Sequence, residues 1–282
     1  MDTKVEKSAD RLKILERIDE YEKKGWFSKD VEDDPETIPL TPDKVDYLNK
    51  KLINKILTAY VNQKGWKFID NLIKNNQLII KEIKGIENFR KIKDSGMIMT
   101  CNHFNAFDNF ALHKVFQHET KKGIIWKVIR EGNFTSYPGL YGFFFRHCNT
   151  LPLSSVYSTQ KLFMNAVDTL LKKGEKILVY AEQGMWWNYR KPRPLTKGAF
   201  MFAAKNKVPV LPIFITMTDS QFIDNDGFPV QEYTINILDP IFPDETKSDK
   251  ENIEIMKEKN YEMWKKTYED FYKIPLTYLT QN

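Results

Sequence analysis

Met97-Ile98-Met99-Thr100-Cys101-Asn102-His103-Phe104-Asn105-Ala106-Phe107-Asp108 is the stretch that orders the rest of the chain. Met97 to Cys101 is a short, mostly apolar run, which predicts a buried strand. His103 follows at once, and Asp108 stands five positions later, where a helical pattern from Ala106 to Phe116 begins. A strand, a polar loop and a helix in that order is how α/β proteins place sites at their strand ends. A neutral His can take a proton from a hydroxyl near pH 7. A carboxylate on its other ring nitrogen fixes the tautomer and supports the imidazolium. A turn at Asn105-Ala106 would return Asp108 to His103. The spacing fits equally a satisfied His beside a helix-capping Asp, and by itself it leaves both readings open.

Outward from this stretch, apolar runs alternate with helical periods. Leu78 to Ile83, Gly123 to Ile129, Lys176 to Ala181, Val208 to Thr216 and Val230 to Ile237 read as strands. Ser136 to His147, Thr159 to Lys172, Lys197 to Asn206 and Lys247 to Tyr272 read as helices. The alternation predicts an α/β fold with a mixed, partly parallel sheet flanked by helices. Residues 1–76 read as an N-terminal helical extension, and 77–282 as the main domain. Within the extension, Leu12, Ile14, Leu15, Ile18 and Tyr21 mark an amphipathic helix, and Pro35, Pro39 and Pro42 mark a linker or wrapping loop. From Pro42 a helical pattern runs to about Asn75, with Val45, Leu48, Leu52, Ile56 and Tyr60 on one face.

The 282 residues are 41% hydrophobic and 29% charged, enough to bury a sizeable core and too apolar for wholesale disorder. Cys101 and Cys148 are the two cysteines, which excludes a disulfide framework and favours a reducing compartment. The N-terminus lacks an apolar signal core, and the longest apolar run, Val208 to Met217, is half of what a spanning helix needs (about 20 residues). Net charge is +5, but unevenly spread. Met1 to Leu40 carries 8 basic and 12 acidic residues, and Lys44 to Lys93 carries 12 and 4. Gln183 to Thr218 carries 6 and none, and Asp219 to the end 7 and 14. Two basic blocks between acidic ends predict a surface that meets an anion. The acidic first forty residues are expected to wrap onto the adjoining basic block.

Two competing constellations fail on geometry. His103, Asp108, His113 and His118 recur every five residues, an advance of about 140° on a helix, whereas ligands on one face need spacings of three or four. No metal site is expected. Cys101 ends a buried strand, where packing is commoner than a nucleophilic thiol.

Asn102-His103 with Asp108 after a short strand resembles the first motif of the glycerolipid acyltransferases, the 1-acyl-glycerol-3-phosphate acyltransferase family. The order of the later segments extends the likeness over about Leu78 to Leu238. Val179-Tyr180-Ala181-Glu182-Gln183-Gly184 is similar to the family's Glu-Gly motif, Leu195-Thr196-Lys197-Gly198 to its lysine-glycine helix start, and Val208-Pro209-Val210-Leu211-Pro212 to its Val-Pro strand. Two departures stand out. The family's third motif ends in an Arg where this chain has Met185, and its second ends in an Arg where this chain has Ser155. Both arginines are family positions associated with the acceptor's phosphate. Arg190, Lys191 and Arg193 lie close by as replacements for the lost charge.

The resemblance implies an acyl transfer from acyl-CoA or acyl carrier protein to a hydroxyl of a lysophospholipid, without a resident cofactor. His103 would be the base and Asp108 its support. Asn102, Glu182 and Gly184 would shape the acceptor pocket, and Arg190, Arg193 and Lys197 would bind an anionic acceptor or donor. The altered motifs also admit a glycolipid, polyol or cell-envelope acceptor, and a non-catalytic lipid-binding module is the remaining class. Trp186-Trp187-Asn188-Tyr189-Arg190-Lys191-Pro192-Arg193-Pro194 suits phosphate recognition and a membrane interface, or a loop with its aromatics packed inward. No nucleic-acid motif accompanies it. The segment Lys44 to Lys74 suits an anionic membrane surface, or a helix packed on the domain. A cytoplasmic protein peripheral to the membrane is therefore expected.

Overall fold

The computed structural model describes residues 6–280, so the first five positions of the expected N-terminal helical stretch lie outside it. In chain order the elements are α1 (Ala9–Lys23), α2 (Leu52–Lys74), β1 (Ile79–Lys84), α3 (Ile86–Arg90), β2 (Met97–Cys101), α4 (Asp108–Phe116), β3 (Trp126–Ile129), α5 (Glu131–Thr135), α6 (Gly139–His147), β4 (Thr150–Pro152), α7 (Tyr157–Lys172), β5 (Lys176–Val179), α8 (Gly198–Asn206), β6 (Val210–Ile223), β7 (Pro229–Ile237) and α9 (Asp249–Tyr272). Seven strands form one sheet in the order β1-β7-β6-β2-β5-β3-β4. Every neighbouring pair is parallel except β6 with β7, a long antiparallel hairpin.

β2 and β5 are buried at every position, which is why both read as apolar runs without alternation. Successive side chains of β2 go to opposite faces. Met97, Met99 and Cys101 join α3, α4 and the second half of α2, which contributes Ile69 and Leu72. Ile98 joins α7, α8 and α9 on the other face, through Val167, Phe200 and Met256. On that second face the Thr100 hydroxyl donates to buried Asn260 of α9 at 2.6 Å. A Ser248–Glu251 capping box starts α9, a feature worth about 1 kcal/mol. The carboxyl ends of β2 and β5 lie side by side at the middle of the sheet, where α/β folds open their crevices.

Two N-terminal expectations are corrected. The helix expected from Pro42 starts at Leu52 instead. Asp46 accepts the backbone N–H groups of Lys50 and Lys51 at 3.0 and 2.9 Å and the Asn54 amide at 3.0 Å. A short acidic side chain thus competes with helical bonding and delays the helix. Tyr47 is freed to bury itself against α7 and donate to the Pro152 carbonyl at 2.8 Å. The acidic residues 6–40, in turn, form no ion pair with the basic block after them among the described residues. α1 starts on the β6–β7 hairpin, where Ser8 N–H donates to the Asp226 carbonyl at 2.8 Å. The chain then runs over the loop after β5. Ile18 and Val31 pack on Trp186, and the Trp186 indole donates to the Lys29 carbonyl at 2.9 Å.

Candidate active site

The site starts where β2 runs out. Asn102 continues the pairing with β6 through its side chain. Its amide donates to the Ile215 carbonyl at 3.0 Å, and its oxygen accepts the Ile215 N–H at 2.8 Å. The main chain is then free to leave the sheet. Asn105 Oδ1 accepts the Phe107 N–H at 3.0 Å, and the Asn105 carbonyl accepts the Asp108 N–H at 3.2 Å. This turn swings the first residue of α4 back onto the loop.

Asp108 is fully buried and receives a donor on every side. Its Oδ2 accepts His103 Nδ1 at 2.7 Å and the backbone N–H groups of Phe104 and Asn105 at 3.1 and 3.3 Å. Its Oδ1 accepts the Tyr180 hydroxyl at 2.5 Å. The His103 ring stacks on Tyr180, with centroids 3.9 Å apart and planes 17° off parallel. Its side chain is 21% exposed. With Nδ1 committed to Asp108, the bare lone pair falls on Nε2, which has no partner among the described residues. A base with this orientation can take a proton from a hydroxyl arriving from solvent.

The neighbours of the pair are held neutral. Burial, and then the charge of Asp108, pushes the Tyr180 phenol well above its usual range. Burial, Asp108 and Glu182 do the same to the Cys101 thiol, so Cys101 is packing rather than a nucleophile.

The loop after β5 is strapped onto the backbone of His103 and Phe104. Glu182 accepts the His103 N–H at 3.1 Å. The His103 carbonyl accepts the Trp186 N–H at 3.1 Å, and the Phe104 carbonyl accepts the Asn188 N–H at 2.8 Å. Arg193 is 1% exposed and locks this strap. Its N–H donates to Glu182 Oε1 at 2.7 Å, and its guanidinium donates to Glu182 Oε2 at 3.1 Å, to the Phe27 carbonyl at 3.1 Å and to the Gly184 carbonyl. It also lies over the Trp186 ring, 4.9 Å from the centroid. A Cβ at Gly184 would meet Asp30 Oδ1, so the Asp30 side chain lies directly against this glycine.

The structure thus brings His103, Asp108, Glu182, Gly184 and Arg193 together, with Asn102 turned into the sheet. Arg190 and Lys197 stand apart. Arg190 pairs with Asp219 at 2.7 Å on the β6–β7 hairpin, and Lys197 pairs with Glu254 of α9 at 2.5 Å. Lys191 pairs with Glu22 of α1 at 2.5 Å. At the departed second motif, a carboxylate holds the main chain. Glu131 accepts the Ser155 N–H at 3.1 Å, the Ser154 hydroxyl at 3.1 Å and the Leu40 N–H at 2.7 Å. Burial raises its pKa, but these bonds outweigh burial and leave its carboxyl below the usual range.

The acyltransferase family model matches residues 81–216, from β1 into β6, and so spans every element that carries the pair. Residues 81–216 are thus similar to the acyltransferase family. No curated protein sequence matches the chain. Among solved structures, the 1-acyl-sn-glycerophosphate (LPA) acyltransferase PlsC from Thermotoga maritima is similar, at 19% identity and a TM-score of 0.46. That match covers 90% of this chain and 94% of the other.

Two residues in and around this site escape a reading by motif. Tyr180 is one. Its signal is its position just past the end of a strand, but the adjacency of β5 to β2 that brings it under His103 is not written in the local sequence. Arg130 is the other. It lies just past the end of β3 and pairs with Asp30 and Asp34 of the N-terminal strap, each at 2.5 Å. Asp30 in turn stands against Gly184.

Proposed function

We propose that the protein transfers an acyl group from an acyl thioester, acyl-CoA or acyl carrier protein, to a hydroxyl of a lipid acceptor such as a lysophospholipid. The observation that carries this reading is the 2.7 Å bond from His103 Nδ1 to buried Asp108, which leaves Nε2 open at the carboxyl end of a central parallel strand. His103 Nε2 takes the hydroxyl proton as the oxygen attacks the thioester carbonyl. Asp108 supports the imidazolium that forms. The tetrahedral intermediate collapses, the carbon–sulfur bond breaks, and the imidazolium returns its proton to the leaving thiolate. No acyl-enzyme is formed. The oxyanion needs preorganised donors. The N–H groups of Gly184 and Met185, which have no acceptor among the described residues, are suited to that task.

A membrane surface fits the exposed apolar side chains of α2 and α6. Leu52 is 72% exposed and Ile56 is 56% exposed at the start of α2, beside exposed Lys51 and Lys55. Leu140, Tyr141 and Phe144 of α6, which packs against α2, are exposed as well. Apolar side chains ringed by lysines suit the interface of an anionic bilayer. No helix among the described residues is long and apolar enough to cross one. We place the protein on the inner face as a peripheral enzyme.

A second reading has its own observation. Arg130, Arg190, Lys191, Arg193 and Lys197 lie beyond the strand ends, and each is paired with a carboxylate. Glu131 accepts the backbone N–H of Ser155, which stands where the family's second motif ends in an arginine. Such surroundings favour an acceptor without a phosphate, a glycolipid or polyol. Thiol release from palmitoyl-CoA, with lysophosphatidate, lysoglycolipids and simple polyols as acceptors, separates the two. Release with lysophosphatidate alone supports the phospholipid reading. Release with phosphate-free acceptors alone supports the second, and release with none of them under any donor sinks both.

A further inference from the structure

His103 and Asp108 are one side of a three-residue arrangement. Asp108 divides its oxygens, Oδ2 to His103 and two backbone N–H groups, Oδ1 to the Tyr180 hydroxyl at 2.5 Å. The Tyr180 ring lies flat against the imidazole, 3.9 Å away. We propose that Tyr180 is a positioning residue for the proton-transfer base, its ring fixing the plane of His103 and its hydroxyl, by sharing Asp108, setting how basic the imidazole is. The proposal rests on the reading of His103 as base.

Thr100 of β2 pairs with Val179 of β5, so Tyr180 is the first residue past the end of β5, level with the strand end that launches His103. Burial holds its phenol protonated, so it acts toward Asp108 only as a donor. A carboxylate that accepts an additional strong hydrogen bond has its negative charge stabilised and supports a neighbouring cation less. Without the hydroxyl, Asp108 would hold the imidazolium more firmly, and His103 would stay protonated to higher pH. The hydroxyl thus keeps His103 free to accept a proton, while the ring alone, as in a phenylalanine, would only keep it in plane.

The other charged or titratable groups around the pair do not do this. Glu182 and Arg193 neutralise each other and touch only the main chain of His103. Cys101 and Tyr233 face Asp108 but are kept uncharged by burial. Neither donates a hydrogen bond to it among the described residues.

The test tracks His103 by NMR in protein with carbon-13-labelled histidine, the signal assigned by its loss in His103→Ala. Tyr180→Phe should move the titration of the His103 signal to higher pH. The acid limb of kcat/KM should move up with it. Incorporating 3-fluorotyrosine at position 180 makes the phenol a stronger donor and should shift His103 the other way. Tyr180→Leu, which removes ring and hydroxyl, should lower kcat beyond Tyr180→Phe with KM little changed. A His103 titration that stays put in both the Phe and the fluorotyrosine proteins, or moves the same way in both, overturns the proposal. If Tyr180→Phe does not fold, the fluorotyrosine protein carries the test by itself. The titration needs no turnover. Coupled shifts without acyl transfer would therefore indict the catalytic reading and leave the Tyr180–Asp108–His103 coupling standing.

Discussion

Glu182→Ala should be among the most damaging single changes outside the catalytic pair, and for a structural reason. Glu182 and Arg193 are both almost fully buried, 3.1 Å apart. Removing one member of a buried ion pair leaves the other charge uncompensated, at a cost of about 3–5 kcal/mol. The backbone N–H groups of His103 and Arg193 lose their acceptor in the same step. Domains are stable by only about 5–15 kcal/mol, so the loss is a large part of the total. Urea unfolding monitored by circular dichroism reads it as a fall in midpoint at constant slope. Replacing both partners, Glu182→Met with Arg193→Leu, should cost less than Glu182→Ala alone, because no charge remains buried. Arg193→Met also separates lock from ligand: as a lock it lowers the midpoint, and as a substrate anchor it would raise KM with the midpoint unchanged. A cost below about 1 kcal/mol for Glu182→Ala, the range of surface pairs, would refute the reasoning.

Two further outcomes are expected. Leu52→Glu with Ile56→Glu removes two exposed apolar side chains, each worth about 1–2 kcal/mol on burial in lipid. Sedimentation with anionic vesicles at low salt should show binding weakened at least about tenfold and unfolding within about 0.5 kcal/mol of wild type; equal binding would remove α2 from the membrane face. His113 is held well below the ordinary histidine range by burial and by Lys127, which donates to its Nε2 at 2.9 Å. Only the unfolded chain then takes up a proton as pH falls below about 6.5, so stability drops by about 1.4 kcal/mol per pH unit from this residue. His113→Gln should flatten the acid side of the stability profile by that amount; an unchanged slope would mean that His113 protonates in place.

The fold was legible where burial is complete and periods are long. β2 and β5, buried on both faces, stand out as apolar runs, and α7, α8 and α9 keep to their helical periods to within about two residues at each end. The His103–Asp108 contact was readable because it is local, a single turn between a strand and a helix. Partners distant in sequence were not. Arg190, Arg193 and Lys197 read as available cations, yet their carboxylates lie 29, 11 and 57 positions away, and no local pattern reports such pairing. The delayed start of α2 has a smaller cause, one aspartate whose side chain takes backbone N–H groups from the expected helix. Tyr180 escaped for a topological reason: strand order decides what lies beneath His103.

The central claim is that His103, oriented by Asp108, removes the acceptor's proton without an acyl-enzyme. The most direct measurement is acceptor-dependent thiol release from palmitoyl-CoA by wild type, His103→Ala and Asp108→Asn, each checked for a native unfolding midpoint. The account predicts release only when acceptor is present, and a loss of at least about 100-fold in His103→Ala. Asp108→Asn should also be strongly impaired, because an amide cannot support the imidazolium. Undiminished release by folded His103→Ala, or a stoichiometric burst of thiol from wild type without acceptor, would contradict it.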